Sequence, residues 1–331
     1  MDVAFPNPFS TKNDVLLLLD GSYCAYYCIY GAVNRWKERY YGTSLETIQL
    51  PEPGSVPYDE LPDLVHDTFY FEKVLMEVST DRLQRLNDIV LSATGHFYSD
   101  AAISTSKVDT IVAMDSHAIG QFRKAAFPEY KAQRQVVRRD KNDYNHGKLI
   151  DYMYSHVFPN ILPHGRTSYI KLAEAEGDDV VASIVKSERL RGRYRQIILV
   201  SSDRDFCQLH RPENRLRQFT LTGDEVVCEI KMTKSGRKQT IPISADQALM
   251  MKIIVGDASD NIPGIKKRLG PVGAWRLISE GNCKENLLRL FQQDRDAAVR
   301  FQLNRKLIDF NEIPRGIQDR VVELVLERVG E

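Results

Sequence analysis

Three short apolar runs stand out in the hydrophobic pattern of this chain, and each of them ends at an aspartate. The runs and the acids that follow them are 15–19 with Asp20, 110–114 with Asp115, and 197–200 with Asp203 and Asp205. Such runs are typical of buried strands in a parallel sheet. Ligands of parallel sheets gather at the carboxyl ends of the strands, so the pattern predicts an acidic pocket there. Burying several carboxylates together costs free energy unless cations bind between them. The pattern therefore indicates divalent metal ions.

The segments between these runs have mostly helical spacing, and together they predict an α/β fold with a mostly parallel central sheet flanked by helices. Helices are predicted at 23–36, 72–91, 147–158 and from 180 onward, a short strand at 170–173, and a hairpin from 226–230 and 239–243. Residues 41–62 contain four prolines and two glycines, which excludes long regular structure. The chain from 244 onward is predicted to be mostly helical.

Composition and charge narrow the class of protein. The 331 residues are 43% hydrophobic and 9% aromatic, which excludes a disordered chain. The formal net charge is zero, but residues 121–148 carry eight Lys/Arg against three Asp/Glu. A neutral total that hides acidic and basic segments favours a nuclease over a simple DNA-coating protein. The absence of a signal-like or membrane-length apolar run predicts a cytoplasmic protein.

The five cysteines form no C-x-x-C pair. Cys24 and Cys28 are four residues apart, so on a helix they would share one face as small buried side chains rather than bind zinc or form a disulfide.

Carboxylates occur in five clusters, two of which lie outside the strand ends. Glu176, Asp178 and Asp179 would meet around the first turn of one helix, and Asp257 and Asp260 are three residues apart on another. The full set of predicted metal ligands is Asp20, Asp115, Glu176, Asp178, Asp179, Asp203, Asp205, Asp257 and Asp260. Oxygen ligands in this number suit two Mg²⁺ ions, with Mn²⁺ as a substitute, better than zinc. Two such ions would activate water against a phosphodiester.

Five motifs in this order resemble those of the 5′ nuclease (flap endonuclease) superfamily, in particular phage-encoded ribonuclease H and the 5′ nuclease domain of bacterial DNA polymerase I. They are Leu-Asp20-Gly-Ser, the segment Phe122 to Arg134 with its Tyr-Lys-x-x-Arg, Glu176-Gly-Asp178-Asp179, Ser-Ser-Asp203-Arg-Asp205, and Gly256-Asp257-Ala-Ser-Asp260-Asn-Ile-Pro-Gly264. The last of these strings and Tyr-Lys-x-x-Arg are specific, and together the motifs extend over about residues 15–280.

The resemblance implies a Mg²⁺-dependent 5′ to 3′ exonuclease and flap endonuclease that acts on DNA and RNA–DNA hybrids and removes RNA primers during replication. It places the nine carboxylates at metal positions. It also implies a helical arch at about 121–160, in which Lys131 and Arg134 contact the scissile phosphate, and it gives Arg123 and Tyr130 positions in the same arch. Tyr130 could stack on a base or hold one end of the arch. A solvated basic helix is the plain alternative for this segment.

The resemblance further implies a helix-three-turn-helix that grips duplex phosphates through backbone N–H groups and basic side chains, with K⁺ in its turn. Its predicted DNA-binding residues are Gly264, Lys266, Lys267, Arg268, Gly270 and Gly273. Trp275, next to this segment, is expected in the core. A nuclease domain at 1–243 would then be followed by a DNA-binding and C-terminal helical domain at 244–331.

Some segments depart from the family pattern. The separation of Asp20 and Asp115 suggests an insertion at about 41–100, and the sequence after 282 matches no family motif. The resemblance implies a monomer, acting in the host cytoplasm if the chain is phage-encoded, with a single-stranded-DNA-binding protein as a plausible partner. A ribonuclease for structured RNA and a non-catalytic DNA-junction binder are the competing hypotheses.

Overall fold

A computed structural model describes residues 15–41, 64–94, 108–116, 121–133, 146–163, 166–234 and 237–329 of the chain. Five parallel strands form one sheet in the order β3-β2-β1-β4-β5, and a separate antiparallel hairpin pairs β6 with β7. The strands are β1 Val15–Asp20, β2 Val108–Met114, β3 Thr167–Lys171, β4 Gln196–Val200, β5 Leu216–Phe219, β6 Glu229–Lys234 and β7 Arg237–Pro242. The predicted fold class is confirmed.

Helices cover both faces of the sheet and make up the chain after β7. They are α1 Gly21–Tyr41, α2 Leu64–Leu83, α3 Arg85–Thr94, α4 Gln121–Ala126, α5 His146–Tyr152, α6 Phe158–Ile161, α7 Gly177–Lys186, α8 Glu188–Arg191, α9 Ala245–Val255, α10 Pro271–Ser279, α11 Cys283–Gln293, α12 Arg295–Ile308 and α13 Arg315–Val329. A π-helical turn, Met153–Val157, joins α5 to α6. None of the helices in the described ranges combines the length and apolarity that a membrane span needs.

Strand β1 lies at the centre of the sheet, and its consecutive leucines are buried on alternating faces. Leu17 and Leu19 pack with α1, α2 and α3, whereas Leu16 and Leu18 pack with α7 and α13. Successive side chains of a strand point to opposite faces, so a strand covered on both sides needs an unbroken apolar run. This requirement explains why the uninterrupted apolar run at 15–19 predicts a central strand so clearly.

The first helical layer includes part of the predicted insertion at 41–100. Helices α2 and α3 fall within it, and their buried residues Val74, Leu75, Leu86 and Val90 join the core beneath α1. The described part of the segment therefore belongs to the fold, while 42–63 and 95–107 lie outside the described residues. The predicted single helix at 72–91 is two helices, with a break at Gln84.

The second helical layer contains the end of the chain that no motif had assigned. Ile317, Val321 and Val325 of α13 are buried against α7 and the sheet. The C-terminal helix therefore returns to the five-stranded sheet across the predicted boundary at 243/244. A third core is formed by α9 to α12, and Trp275 packs against it as expected.

The remaining predictions are confirmed with small shifts of boundary. The hairpin is present as β6 and β7, and the short strand predicted at 170–173 is β3. Strand β5 was missed because Leu216–Phe219 contains two polar residues. Of the predicted arch at 121–160, residues 134–145 lie outside the described residues, and its C-terminal part is buried in the core through Met153, Val157 and Phe158.

Candidate metal centre

The three predicted strand ends are brought together by the sheet. Strand β1 lies between β2 and β4, with Asp20 in register with Ala113 and Leu19 with Val200. Asp115 and Asp203 follow their strands by a few residues and therefore reach the same edge as Asp20. Asp178 joins them from the first turn of α7. These four residues, Asp20, Asp115, Asp178 and Asp203, are called the strand-end cluster below.

Short hydrogen bonds orient the carboxylates of the strand-end cluster. Asp20 accepts from the Tyr23 backbone N–H at 3.0 Å and from the Ser201 hydroxyl at 2.7 Å. Asp115 accepts from the Ser22 hydroxyl at 2.6 Å and from the Gly177 backbone N–H at 2.7 Å. These donors are uncharged, so they orient the two carboxylates at the same edge of the sheet without neutralising their negative charge.

The close approach of the start of α1 to β2 at this edge requires a glycine. A Cβ atom at Gly21 would lie 2.5 Å from the backbone oxygen of Ala113 and 2.8 Å from the Tyr154 hydroxyl. The Asp20-Gly-Ser motif therefore combines an acid with the small residue that lets α1 begin directly beside it.

Two acids of the strand-end cluster, Asp20 and Asp178, are partly buried, whereas Asp115 and Asp203 are exposed. Burial raises the pKa of Asp20 to about 6, and Asp115 and Asp203 raise it further. Burial also raises the pKa of Asp178 well above its usual value, and the other three acids of the cluster add to that effect. Since loss of hydration and like charges both disfavour carboxylates, a divalent cation at this edge would relieve both.

A second group of acids carries its own cations, and it is called the cation-paired cluster. It consists of Glu176, Asp179 and Asp260 with Arg123, Tyr130 and Lys131. Arg123 is only 3% exposed and forms a two-pronged ion pair with Asp179 at 2.8 and 2.7 Å, in addition to a 3.4 Å contact with Glu176. Its Nε also donates to the Leu307 carbonyl at 2.8 Å. This guanidinium therefore ties α4 to α7 and α12.

Glu176 accepts hydrogen bonds from two residues of the Tyr-Lys-x-x-Arg segment. The Tyr130 hydroxyl donates to it at 2.9 Å and the Lys131 ammonium at 2.7 Å. Burial would raise the pKa of Glu176, but Lys131 and Arg123 outweigh it and hold this pKa below the usual value. Tyr130 also contacts Asp260 at 3.2 Å.

Lys131 has an unusual backbone conformation. Its φ is 55°, in the left-handed region that non-glycine residues rarely adopt, and its N–H donates to the Asp260 carbonyl at 3.0 Å. Its side chain is 8% exposed and also lowers the pKa of Asp178. Backbone strain of this kind persists where surrounding contacts enforce it, and it is common at functional sites.

The contacts of the cation-paired cluster show where the residues of the predicted arch lie in the structure. Arg123 and Tyr130 are buried in the cation-paired cluster, so the alternative of a solvated basic helix does not describe them. Lys131 lies between the two clusters. Arg134 lies outside the described residues.

Asp205 and Asp257 form a third group around a lysine that the sequence reasoning missed. The Lys252 ammonium contacts Asp205 and lies 3.0 Å from an oxygen of Asp257. Burial would raise the pKa of Asp257, but Lys252 and the hydrogen bonds from Ser259 lower it. The available signal was the position of Lys252, one helical turn before Gly256-Asp257.

The predicted helix-three-turn-helix corresponds to α9, the turn that follows it, and α10. Gly256 has φ 79°, and a Cβ there would meet the Ile262 carbonyl oxygen at 2.4 Å, so the turn requires glycine. The buried Asn304 amide of α12 donates to the carbonyls of Ile253 and Pro263 and so links the two ends of the turn. The predicted basic residues are all exposed on its surface: Lys266, Lys267 and Arg268. Gly270 caps α10, while Gly264 and Gly273 are partly buried.

Comparisons with known proteins identify several relatives of this chain. Bacteriophage T4 ribonuclease H is 28% identical over 232 residues, which cover 64% of this chain and 68% of that protein. DNA polymerase I of Caldicellulosiruptor bescii is 29% identical over 165 residues, covering half of this chain but only 18% of the polymerase. A flap endonuclease Xni of Shewanella piezotolerans is 24% identical over 182 residues, covering 55% and 63%.

Two solved structures share the fold. The T5 D15 protein crystallised with metal ions superposes with a TM-score of 0.54 at 16% identity, covering 96% of this chain and all of that one. A bacteriophage T5 D15 flap endonuclease variant in complex with DNA and metal ions gives 0.52, also at 16% identity and with the same coverage.

The family profile described as 5′-3′ exonuclease, N-terminal resolvase-like domain, matches residues 70–238, slightly more than half of the chain. This region runs from α2 to β7 and contains most of the carboxylates described above. The chain belongs to the 5′-3′ exonuclease family and is a nuclease.

Proposed function

We propose that this protein is a structure-specific 5′ to 3′ exonuclease and flap endonuclease that cuts DNA and RNA–DNA hybrids with two Mg²⁺ ions. The observation that carries the proposal is the convergence of Asp20, Asp115, Asp178 and Asp203 at one edge of the sheet, where burial raises the pKa of Asp20 and Asp178. A cluster of this kind is stabilised by hard divalent cations, and such cations suit phosphodiester hydrolysis.

The acids divide between two ion positions according to their contacts. The strand-end cluster would hold one ion, and Asp205 and Asp257 would hold the second together with Asp260. Glu176 and Asp179 are instead assigned a positioning role, because their ion pairs with Arg123 and Lys131 are more deeply buried than the ion pairs of the other three acids. When bound, the two ions supply an activated water and offset charge on the phosphate. Mn²⁺ would serve in place of Mg²⁺.

Two cationic side chains, Lys131 and Arg134, would contact the substrate phosphate on the side opposite the metal ions. Lys131 is held by Glu176 and lowers the pKa of Asp178, which supports a position of its ammonium close to the predicted reaction site. Arg134, three residues later, is proposed to share this role. Such cations stabilise the charge that develops on phosphate oxygens.

Duplex binding is assigned to the helix-three-turn-helix. Backbone N–H groups near Gly264 and Gly270 would bind phosphates, and Lys266, Lys267 and Arg268 would add attraction that depends on salt but not on sequence. K⁺ in this turn and a single-stranded-DNA-binding protein as partner remain predictions. Removal of RNA primers and 5′ flaps in replication is the role that this substrate class supports.

The deciding experiment compares cleavage of nicked, 5′-flapped and RNA-primed duplexes, and of a structured RNA, with Mg²⁺ and with a chelator. The wild-type protein should cut the first three only when Mg²⁺ is present. Asp178→Asn should lower the cleavage rate by about 10³-fold or more, because it removes one charge from the strand-end cluster. Its affinity for the flap should stay within a few-fold of wild type.

Asp319→Asn is the matched control, since Asp319 is an exposed aspartate on α13 in a surface ion pair with Arg315. It should cut at the wild-type rate. Wild-type cleavage by Asp178→Asn would refute the site assignment. Preference for the structured RNA would favour the ribonuclease alternative, and binding without turnover would favour the junction binder.

A further inference from the structure

Two cysteines and a histidine meet close to the 3₁₀ helix that follows Asp203. The ligand atoms of Cys207, His210 and Cys228 all lie within 4.8 Å of one another. Cys207 and His210 are three residues apart on and just after the 3₁₀ helix Arg204–Leu209, so they share a face of this tight helix. Cys228 comes from the segment immediately before β6. No residue of this trio has a role in the proposed nuclease reaction.

The ring of His210 is fixed in one tautomer by its neighbour Gln218. The Gln218 amide nitrogen donates to the carbonyls of Ser201 and Asp203, at 2.9 and 2.7 Å, so its amide oxygen must be the atom 2.9 Å from His210 Nε2. An amide oxygen can only accept, and Nε2 must therefore carry the proton. The lone pair of the neutral ring is then on Nδ1.

The nitrogen with this lone pair lies close to a sulfur. His210 Nδ1 lies 3.4 Å from Cys228 Sγ. Tetrahedral zinc with bonds of about 2.3 Å to sulfur and about 2.0 Å to nitrogen places these two ligand atoms roughly 3.5 Å apart. A metal-binding histidine whose other nitrogen donates to an oriented acceptor is the usual arrangement at such sites.

The trio is also accessible. Cys207 is buried, whereas His210 and Cys228 are half-buried and line an open cleft of about 400 Å³. The cleft gives an ion a route of entry and room for a water as a fourth ligand, because three protein ligands leave one tetrahedral position open.

We propose that Cys207, His210 and Cys228 form a binding site for a thiophilic divalent cation, Zn²⁺, distinct from the carboxylate centre. Two sulfurs and an imidazole select zinc over Mg²⁺, which the carboxylate oxygens prefer. The ion would fasten the loop carrying Asp203 and Asp205 to the β6–β7 hairpin. This site does not depend on the proposed nuclease function.

The test uses full-length protein that is kept reduced, stripped with a chelator and then titrated in excess Mg²⁺, which occupies the carboxylate centre. Competition with a chromophoric chelator should give one tight Zn²⁺ per chain. Co²⁺ in place of zinc should give a thiolate-to-cobalt charge-transfer band and intense visible bands of tetrahedral cobalt.

Cys228→Ser should lower Zn²⁺ affinity by ~100-fold or more and remove most of the charge-transfer band, since the loss of even an outer-shell partner costs 10–100-fold. Cys283→Ser is the matched control: Cys283 is also partly exposed but lies on α11, and its replacement should leave both readouts unchanged. If Cys228→Ser fails to fold, His210→Ala should lower the affinity to the same extent while keeping a weaker sulfur band.

The proposal is overturned if the reduced wild-type protein binds no Zn²⁺ in excess Mg²⁺, or if Cys228→Ser keeps wild-type affinity. It is also overturned if Cys207 and Cys228 are recovered as a disulfide from protein kept under reductant, because the pair would then be a redox couple. Metal stoichiometry and spectra decide these outcomes without any cleavage assay.

Discussion

The carboxylates of the strand-end cluster and those of the cation-paired cluster accept hydrogen bonds from different kinds of donor, and their pKa values shift in opposite directions. In the strand-end cluster, Asp20 and Asp115 accept from hydroxyls and backbone N–H groups, and the pKa of Asp20 is raised. In the cation-paired cluster, Glu176 and Asp179 accept from an ammonium and a guanidinium, and the pKa of Glu176 is lowered. The first is stabilised by added cations, whereas the second is already neutralised by the chain.

The difference arises within a single motif. Glu176 is the N-cap of α7, and its backbone N–H donates to the Asp179 carboxylate at 3.0 Å, so these two acids lie together and face Arg123. Asp178 is in the same turn but faces the strand ends. The Glu-Gly-Asp-Asp sequence therefore divides its acids between a structural ion pair and the candidate metal site. Spacing alone does not separate these roles.

The largest effect on stability is expected from Arg123→Met. This change removes the charge that pairs with the fully buried Asp179, and breaking a buried pair costs about 3–5 kcal/mol. Arg189→Met, which breaks the exposed pair with Glu323, should cost about 1 kcal/mol or less. Urea unfolding measures both. Equal losses in the two variants would mean that the cation-paired cluster is not the structural element described above.

Lys131→Ala tests the member of the cation-paired cluster that also affects Asp178 of the strand-end cluster. We expect the cleavage rate to fall about 10²-fold, which corresponds to roughly 2.7 kcal/mol, while duplex affinity changes by only a few-fold. Single-turnover cleavage and equilibrium binding should be measured below the unfolding transition of the variant. Equal losses in rate and affinity would assign Lys131 to DNA binding rather than to the reaction.

The pH dependence of stability should reveal the strand-end cluster directly. Because the pKa of Asp20 is about 6 in the folded protein and about 3.8 when unfolded, the folded state binds more protons between these values. Without metal, stability should therefore fall as the pH rises through that window. Asp20→Asn should be more stable than wild type above it, by about 1–2 kcal/mol after allowance for partial exposure. Mg²⁺ should abolish the difference, and a metal-independent difference would contradict the prediction.

Tyr130→Phe should have the smallest effect. It removes a hydroxyl that donates to Glu176 and contacts Asp260, but Glu176 keeps its contacts with Lys131 and Arg123. The expected loss of stability is about 1 kcal/mol, without change in Mg²⁺ affinity. Calorimetric titration with Mg²⁺ would reveal any weakening, which would place Tyr130 in the metal site instead.

The sheet and its acidic edge could be predicted because their signals are local. An apolar run buried on both faces is visible in five residues, and an aspartate directly after it must lie at the strand end. Strand β5 gave no such signal, because Leu216–Phe219 is half polar. Helix α13 lies in the stretch that was predicted to be helical, but its packing partner α7 is distant in the chain, so its position could not be predicted.

The division of the site could not be predicted because its determinants are distant in sequence. Arg123 and Asp179 are 56 residues apart, and Lys252 is 47 from Asp205. The acids could be found by motif, but which of them meet a cation is decided by α4, α7 and α9 packing together. The cysteine and histidine trio was missed for the same reason, since only Cys207 and His210 are neighbours in the chain.

The packing of α13 against α7 has a consequence for the order of events during synthesis. Helix α7 carries Asp178, and one of its faces is covered by residues of 315–329. On the ribosome, that face has no partner until residues 315–329 have emerged. The helix that carries Asp178 therefore completes its packing only after those residues are synthesised.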